Sequence, residues 1–222
     1  MNRVYDNNIV NINHDIEIPI NYDKYYLKWK DGSEYIGNFI DNIIQGFGVY
    51  RFPNGTIYEG SWKNNCKHGI GKLLFNNGDI YNGEFLDDNI SGYGSILFNN
   101  NGTEKQLYIG NFFNGRREGY GKLYYYNINT NTYKLKYIGN WVKDDFSDIG
   151  ICYHDNGNKF YEGYFVKGLP SGDGILYNID GSIAEKGYYI KGELYKNIDD
   201  RKTKKLLSKI KKHIKFTFNY IL

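Results

Sequence analysis

The sequence predicts an all-β fold: an elongated single-sheet array of antiparallel β-hairpin repeats, followed by a C-terminal α-helix. Three observations carry this. The pattern Tyr-x-Gly-x-aromatic recurs at Tyr35–Phe39, Tyr58–Trp62, Tyr81–Phe85, Tyr108–Phe112, Tyr137–Trp141 and Tyr161–Phe165. A Gly-x-Gly follows eleven residues after each Tyr, at Gly46, Gly69, Gly92, Gly119 and Gly172, with Asp148 in the fifth copy. Residues 196–222 hold nine basic residues against two acidic ones, with apolar residues at helical spacing. A period of 23 to 29 residues marks an array of small stacked units.

Residues 1–24 precede the array as a cap or a tail. Ile16-Glu17-Ile18-Pro19-Ile20 alternates like an edge strand, and terminal repeats need a cap; a disordered tail fits as well.

The array spans residues 25–195. Side chains alternate along a strand, so Tyr, Gly and the aromatic of each copy share one face. The intervening pairs are mostly polar: Ile36/Asn38, Glu59/Ser61, Asn82/Glu84, Ile109/Asn111, Ile138/Asn140 and Glu162/Tyr164. After the second glycine, Tyr50, Leu73, Ile96, Leu123, Cys152 and Leu176 begin the apolar face of a second strand. Glycine inside a strand implies something bulky above it, here an aromatic ring. Asn54-Gly55, Asn77-Gly78, Asn101-Gly102, Asn156-Gly157, Asp31-Gly32 and Asp180-Gly181 are hairpin-turn signals, because both residues tolerate positive φ. The longer repeats place their extra residues, Glu104–Leu107 and Asn127–Thr132, at these tips. The segments after each aromatic, such as Ile40–Gln45 and Lys63–His68, read as varied polar loops along one edge. Glu185-Lys186-Gly187-Tyr188-Tyr189 is a worn seventh copy.

These residues resemble the MORN repeat (membrane occupation and recognition nexus): Tyr-x-Gly-x-(Phe/Trp), a short polar stretch, Gly-x-Gly, then Asn-Gly or Asp-Gly. The resemblance covers residue 35 to about 194, departing at Asp148 and Glu185. It implies a grooved sheet used for binding and scaffolding, and family members are linked to phospholipid. The ring-bearing face is then a groove for a protein partner, lined by Tyr35, Phe39, Tyr58, Trp62, Tyr81, Phe85, Tyr108, Phe112, Tyr137, Trp141, Tyr161 and Phe165.

Residues 196–222 form the third part. Leu206, Leu207, Ile210, Ile214, Phe218 and Ile221 recur at helical spacing, and Asp199 and Asp200 sit where they favour the helix dipole. A basic amphipathic helix over about Asp199–Phe218 follows. Its stripe needs burial, against the array's aromatic groove, a partner chain or a membrane; a mobile Lys-rich tail is the alternative, since basic termini are often disordered. Lys202, Lys204, Lys205, Lys209, Lys211, Lys212 and Lys215 are the candidates for contact with anionic lipid.

Chemistry is scarce. His14, His68, His154 and His213 are scattered, no Cys-x-x-Cys occurs, and Gly119-Tyr120-Gly121-Lys122 lacks the rest of a phosphate-binding loop. No catalysis, cofactor or metal is expected, and no nucleic acid; a homodimer stays open. Met1–Val10 has no apolar core of a signal peptide, no run approaches the roughly 18 apolar residues of a membrane span, and Cys66 and Cys152 are far apart. The expected location is cytoplasmic, peripheral to membrane or cytoskeleton. Two functions stand: a non-enzymatic interaction scaffold, or a peripheral protein that binds anionic phospholipid through the helix.

Overall fold

The computed structural model describes residues 25–99, 105–127 and 130–218, the side chains of 216–218 excepted. The strand expected at Ile16–Ile20, the Asn101-Gly102 turn, Glu104 and Ile221 lie outside these residues. Contacts divide the chain into two units, meeting between Asn89 and Ile90. The first holds β1 (Tyr25–Lys28), β2 (Glu34–Ile40), β3 (Ile43–Arg51), β4 (Ile57–Lys63), β5 (Cys66–Leu74) and β6 (Ile80–Leu86). The second holds β7 (Asn89–Phe98), which begins at the boundary, β8 (Gln106–Phe113), β9 (Arg116–Asn127), β10 (Thr132–Val142), β11 (Asp145–Tyr153), β12 (Lys159–Val166), β13 (Leu169–Tyr177), β14 (Ile183–Ile190) and β15 (Glu193–Asn197). Its one helix is α1 (Asp200–Phe218). Within each unit the strands lie in chain order, every observed pairing antiparallel. The hairpin array with its C-terminal helix is thus the architecture observed.

The register explains the repeat. Glycines face glycines across successive strands: Gly37, Gly48, Gly60, Gly71 and Gly83 in the first unit. Gly94, Gly110, Gly121, Gly139, Gly150, Gly163, Gly174 and Gly187 do so in the second. Over the hairpin pairs Gly37/Gly48, Gly60/Gly71, Gly110/Gly121, Gly139/Gly150 and Gly163/Gly174 lies the ring of the tyrosine two residues before the first glycine. A Cβ on Gly48 would stand 2.3 Å from the Tyr35 hydroxyl oxygen, so only glycine admits the ring. The first glycine of Gly-x-Gly serves another purpose. Gly46 has φ +83, and Asp148, which replaces glycine at that place, has φ +51. Aspartate tolerates this region better than most residues, which accounts for the fifth copy's departure.

The turns correct one expectation. At Asn54-Gly55 only the glycine has positive φ; the Asn54 carboxamide oxygen instead accepts from the Thr56 amide at 3.0 Å. The segments read as polar loops are strand almost throughout, broken by two residues. Both of these have positive φ at Asp41-Asn42, Asn64-Asn65, Asp87-Asp88, Asn114-Gly115, Lys143-Asp144, Lys167-Gly168 and Lys191-Gly192. Such primed turns match the twist of the strands they join. Several also clip one hairpin to the previous one. The Asn65 amide donates to Ile44 O at 3.0 Å, and the Ile44 amide donates to Asn65 Oδ1 at 2.8 Å. Asp88 with Lys67, and Asp144 with Arg117, repeat the exchange.

The helix begins where the acidic pair places it. Asp199 Oδ1 accepts from the Lys202 amide at 2.8 Å as an N-cap, and Lys186 pairs with Asp200. Leu206 and Ile210 pack with Tyr120, Ile138, Ile149, Ile151, Ile175 and Ile198 as one buried cluster. Tyr120, Ile138, Ile149, Ile151 and Ile175 each flank a glycine of the register, so they lie on the face opposite the tyrosines; Ile198 follows β15. The helix therefore docks on its own unit, but on the other face from the aromatic groove expected. That face is apolar here because Tyr120, Ile138, Ile149, Ile151 and Ile175 occupy intervening positions, many of which are polar in the other copies.

Candidate functional site

The residues singled out in the sequence fall into three places. The first is the aromatic ladder. Of its twelve residues all but Phe39 are buried, and Phe39 is half-buried. Each tyrosine hydroxyl donates to the backbone carbonyl three residues on, as Tyr35 to Asn38 O at 2.9 Å and Tyr137 to Asn140 O at 2.8 Å. The ring then meets the next copy's aromatic edge to face: Tyr58 with Phe85 at 5.0 Å in the first unit, Tyr108 with Trp141 at 5.1 Å in the second. Arg117 stacks over Trp141 at 4.3 Å. Burial pushes the phenols of Tyr35, Tyr58, Tyr81, Tyr108, Tyr137 and Tyr161 well above their ordinary value. The ladder fills its own face, so these rings form an interior and not an open groove.

The second place is the outer side of α1. Lys202, Lys204, Lys205, Lys209, Lys211, Lys212 and Lys215 are all exposed. Lys209 reaches back to the Tyr164 hydroxyl at 3.3 Å. Beneath the helix, Glu162 is 1 % exposed and forms an ion pair with Lys159 at 2.6 Å. The Tyr177 hydroxyl also donates to Glu162; burial, then that carboxylate, push the Tyr177 phenol up. A buried carboxylate held this way is a structural group, since each lone pair it exposes to the interior must be met.

The third place was missed in the sequence. The residue directly after each ladder aromatic is Ile40, Lys63, Leu86, Phe113, Val142, Val166 and, in the worn copy, Ile190. Each is the last residue of its strand, and the six apolar ones are 45–61 % exposed. In the second unit Phe113, Val142, Val166 and Ile190 mark four successive hairpins. The signal was one apolar residue at a fixed offset, hidden inside segments read as polar loops.

Among the described residues no group of three or more histidine, cysteine, aspartate or glutamate side chains is placed to hold a metal ion. No described helix is long and apolar enough to cross a membrane. The sequence model of the MORN repeat matches residues 35–57, 58–80, 81–103, 108–127 and 161–183. A search among curated proteins finds no match to the chain.

Proposed function

The chain belongs to the MORN-repeat family, and from that premise we propose that it is a non-enzymatic scaffold whose second unit holds a protein partner. The observation that carries this reading is the exposed apolar row Phe113, Val142, Val166 and Ile190. Successive anchors stand one hairpin apart, about 10 Å for two strand spacings. That repeat fits every third residue of a polyproline II segment, whose three residues per turn keep them on one face at about 3.1 Å per residue, or residues seven apart on a helix at about 1.5 Å per residue. The partner's face should therefore be apolar and periodic. Exposed apolar patches of this kind commonly mark interaction sites.

A second reading rests on the seven exposed lysines of α1. They favour an anionic membrane surface at about 1 kcal/mol per residue close to the lipid. Because Leu206 and Ile210 are committed to the array, this attraction is electrostatic and weakens with salt. Both readings are compatible with a cytoplasmic protein peripheral to membrane or cytoskeleton.

The test compares two variants of the full chain. Affinity capture after cross-linking, in cells that make the protein, is run for Phe113→Asp/Val142→Asp/Val166→Asp and for a variant with the seven lysines changed to Gln. Proteins kept by the lysine variant and lost by the triple variant identify the partner. If the triple variant keeps every partner, the apolar row is not the contact surface. Sedimentation with anionic vesicles that disappears only in the lysine variant supports the second reading.

A further inference from the structure

Where α1 lies over β11 and β12, its docking leaves a cleft of about 480 Å³. Ile151, Leu207, Ile210 and Ile214 line it, together with the stems of nearby lysines. Ile151 and Ile210 belong to the buried cluster, while Leu207 remains 37 % exposed. The helix thus spends only part of its apolar stripe on the array, and the remainder lines an open apolar hollow. We propose that this cleft binds a single-chain amphiphile, one apolar chain ending in an anionic group such as a fatty-acid carboxylate.

Three features support this ligand class. The volume lies within the range of small-molecule sites, about 300–1,000 Å³, and such sites are mostly apolar with a few polar groups that set orientation. Removing Leu207 and Ile214 from water supplies the driving force. The charge at the rim sets the sign. Glu162 lines the cleft, but its charge is met by Lys159 and by the Tyr177 hydroxyl. Lys211 and Lys215 also line it, are exposed, and have no carboxylate partner among the described residues. Long lysine stems lie along apolar surface while the ammonium stays in water, which places two cations where an anionic head emerges. The cleft exists only while the helix is docked, because strand and helix each supply part of its lining. A ligand there stabilises the docked state by mass action. The site is separate from the apolar row, and neither reading depends on the other.

The experiment titrates the full chain with dodecanoate below its micellar concentration, by calorimetry, beside dodecanol and anionic phospholipid vesicles. The expected result is one saturable site for dodecanoate, with slower hydrogen exchange across residues 203–210. Leu207→Gln, at a position already partly exposed, lowers the affinity about tenfold or more through lost apolar contact. Lys211→Gln/Lys215→Gln weakens dodecanoate and leaves dodecanol unchanged. Exchange of the ligand-free variants reports that α1 stays docked. The proposal is overturned if dodecanoate does not saturate, or if Leu207→Gln with a docked helix binds as tightly as the native chain. Binding to vesicles without binding of free dodecanoate also overturns it, and assigns the lipid contact to the lysine face alone.

Discussion

In the first unit the strand face turned away from the tyrosines carries Asn38, Ser61 and Glu84, and Phe47 and Ile70 stand 43 % and 65 % exposed between their glycines. Ile36 and Val49 are apolar exceptions there. In the second unit the residues matching Phe47 and Ile70 are Tyr93, Tyr120, Ile149 and Asp173; Tyr120 and Ile149 are buried in the cluster that receives α1, while Tyr93 and Asp173 are half-buried. The tyrosine faces do not differ in this way. Both show glycine opposite glycine, a tyrosine ring over the pair, and an edge-to-face contact with the next copy. One face therefore sets the fold in both units. The other is free of the glycine constraint, and its composition decides what each unit carries.

The largest expected effect tests what the units share. The six ladder phenols are raised by burial, so the folded state holds their protons to higher pH than the unfolded chain, where tyrosine titrates near 10. Their contribution is intact below about pH 10 and is lost as pH rises above it. The loss is up to about 1.4 kcal/mol per pH unit for each tyrosine. The phenolate absorbance of these six, beyond that of exposed tyrosines such as Tyr195, should therefore appear together with unfolding, in both units. Six phenols that titrate near 10 in a folded chain would refute the sealed ladder.

The next effect separates the units. Ile210→Ala should cost about 2–4 kcal/mol, as for a buried aliphatic residue, and should release amides of α1, β11 and β12 to hydrogen exchange. Amides of β2 to β5 should be unaffected. Faster exchange in the first unit would break the comparison.

Gly48→Ala and Gly150→Ala sharpen it from the other side. Each new Cβ meets a tyrosine hydroxyl oxygen, at 2.3 Å from Tyr35 and 2.4 Å from Tyr137. Overpacking should cost about 1–3 kcal/mol in either unit by urea denaturation. A cost confined to one unit would mean that the ladders are not equivalent. The smallest effect concerns the turn clips. Asn65→Ala and Asp144→Ala each remove one side-chain acceptor for a strand amide, and each should cost about 0.5–1.5 kcal/mol.

The ladder was legible in the sequence because two constraints act at fixed offsets. The period of two puts Tyr, Gly and the aromatic on one face, and the close approach of ring to backbone excludes any side chain at Gly48 or Gly150. The opposite face was read as polar from the pairs taken together, which hid the change at Ile138, Ile149, Ile151 and Ile175 that seats the helix. The helix itself was legible from Leu206 and Ile210 at four-residue spacing, its seat was not. The two-residue turns escaped because pairs such as Lys143-Asp144 lack glycine. The outer row escaped because its apolar residues open the segments after each aromatic, such as Ile40–Gln45, which read as loops.

The measurement that bears most directly on the two-face account is a pair of double-mutant cycles in the second unit. Ile151 lies on the face that receives α1, and Leu123 is buried on the tyrosine face. Ile210→Ala combined with Ile151→Ala should show a coupling of about 0.5–3 kcal/mol in denaturation, as contacting residues do, whereas Ile210→Ala with Leu123→Ala should be additive within about 0.5 kcal/mol. Coupling to Leu123 with additivity at Ile151 would place the helix on the aromatic face and contradict the account.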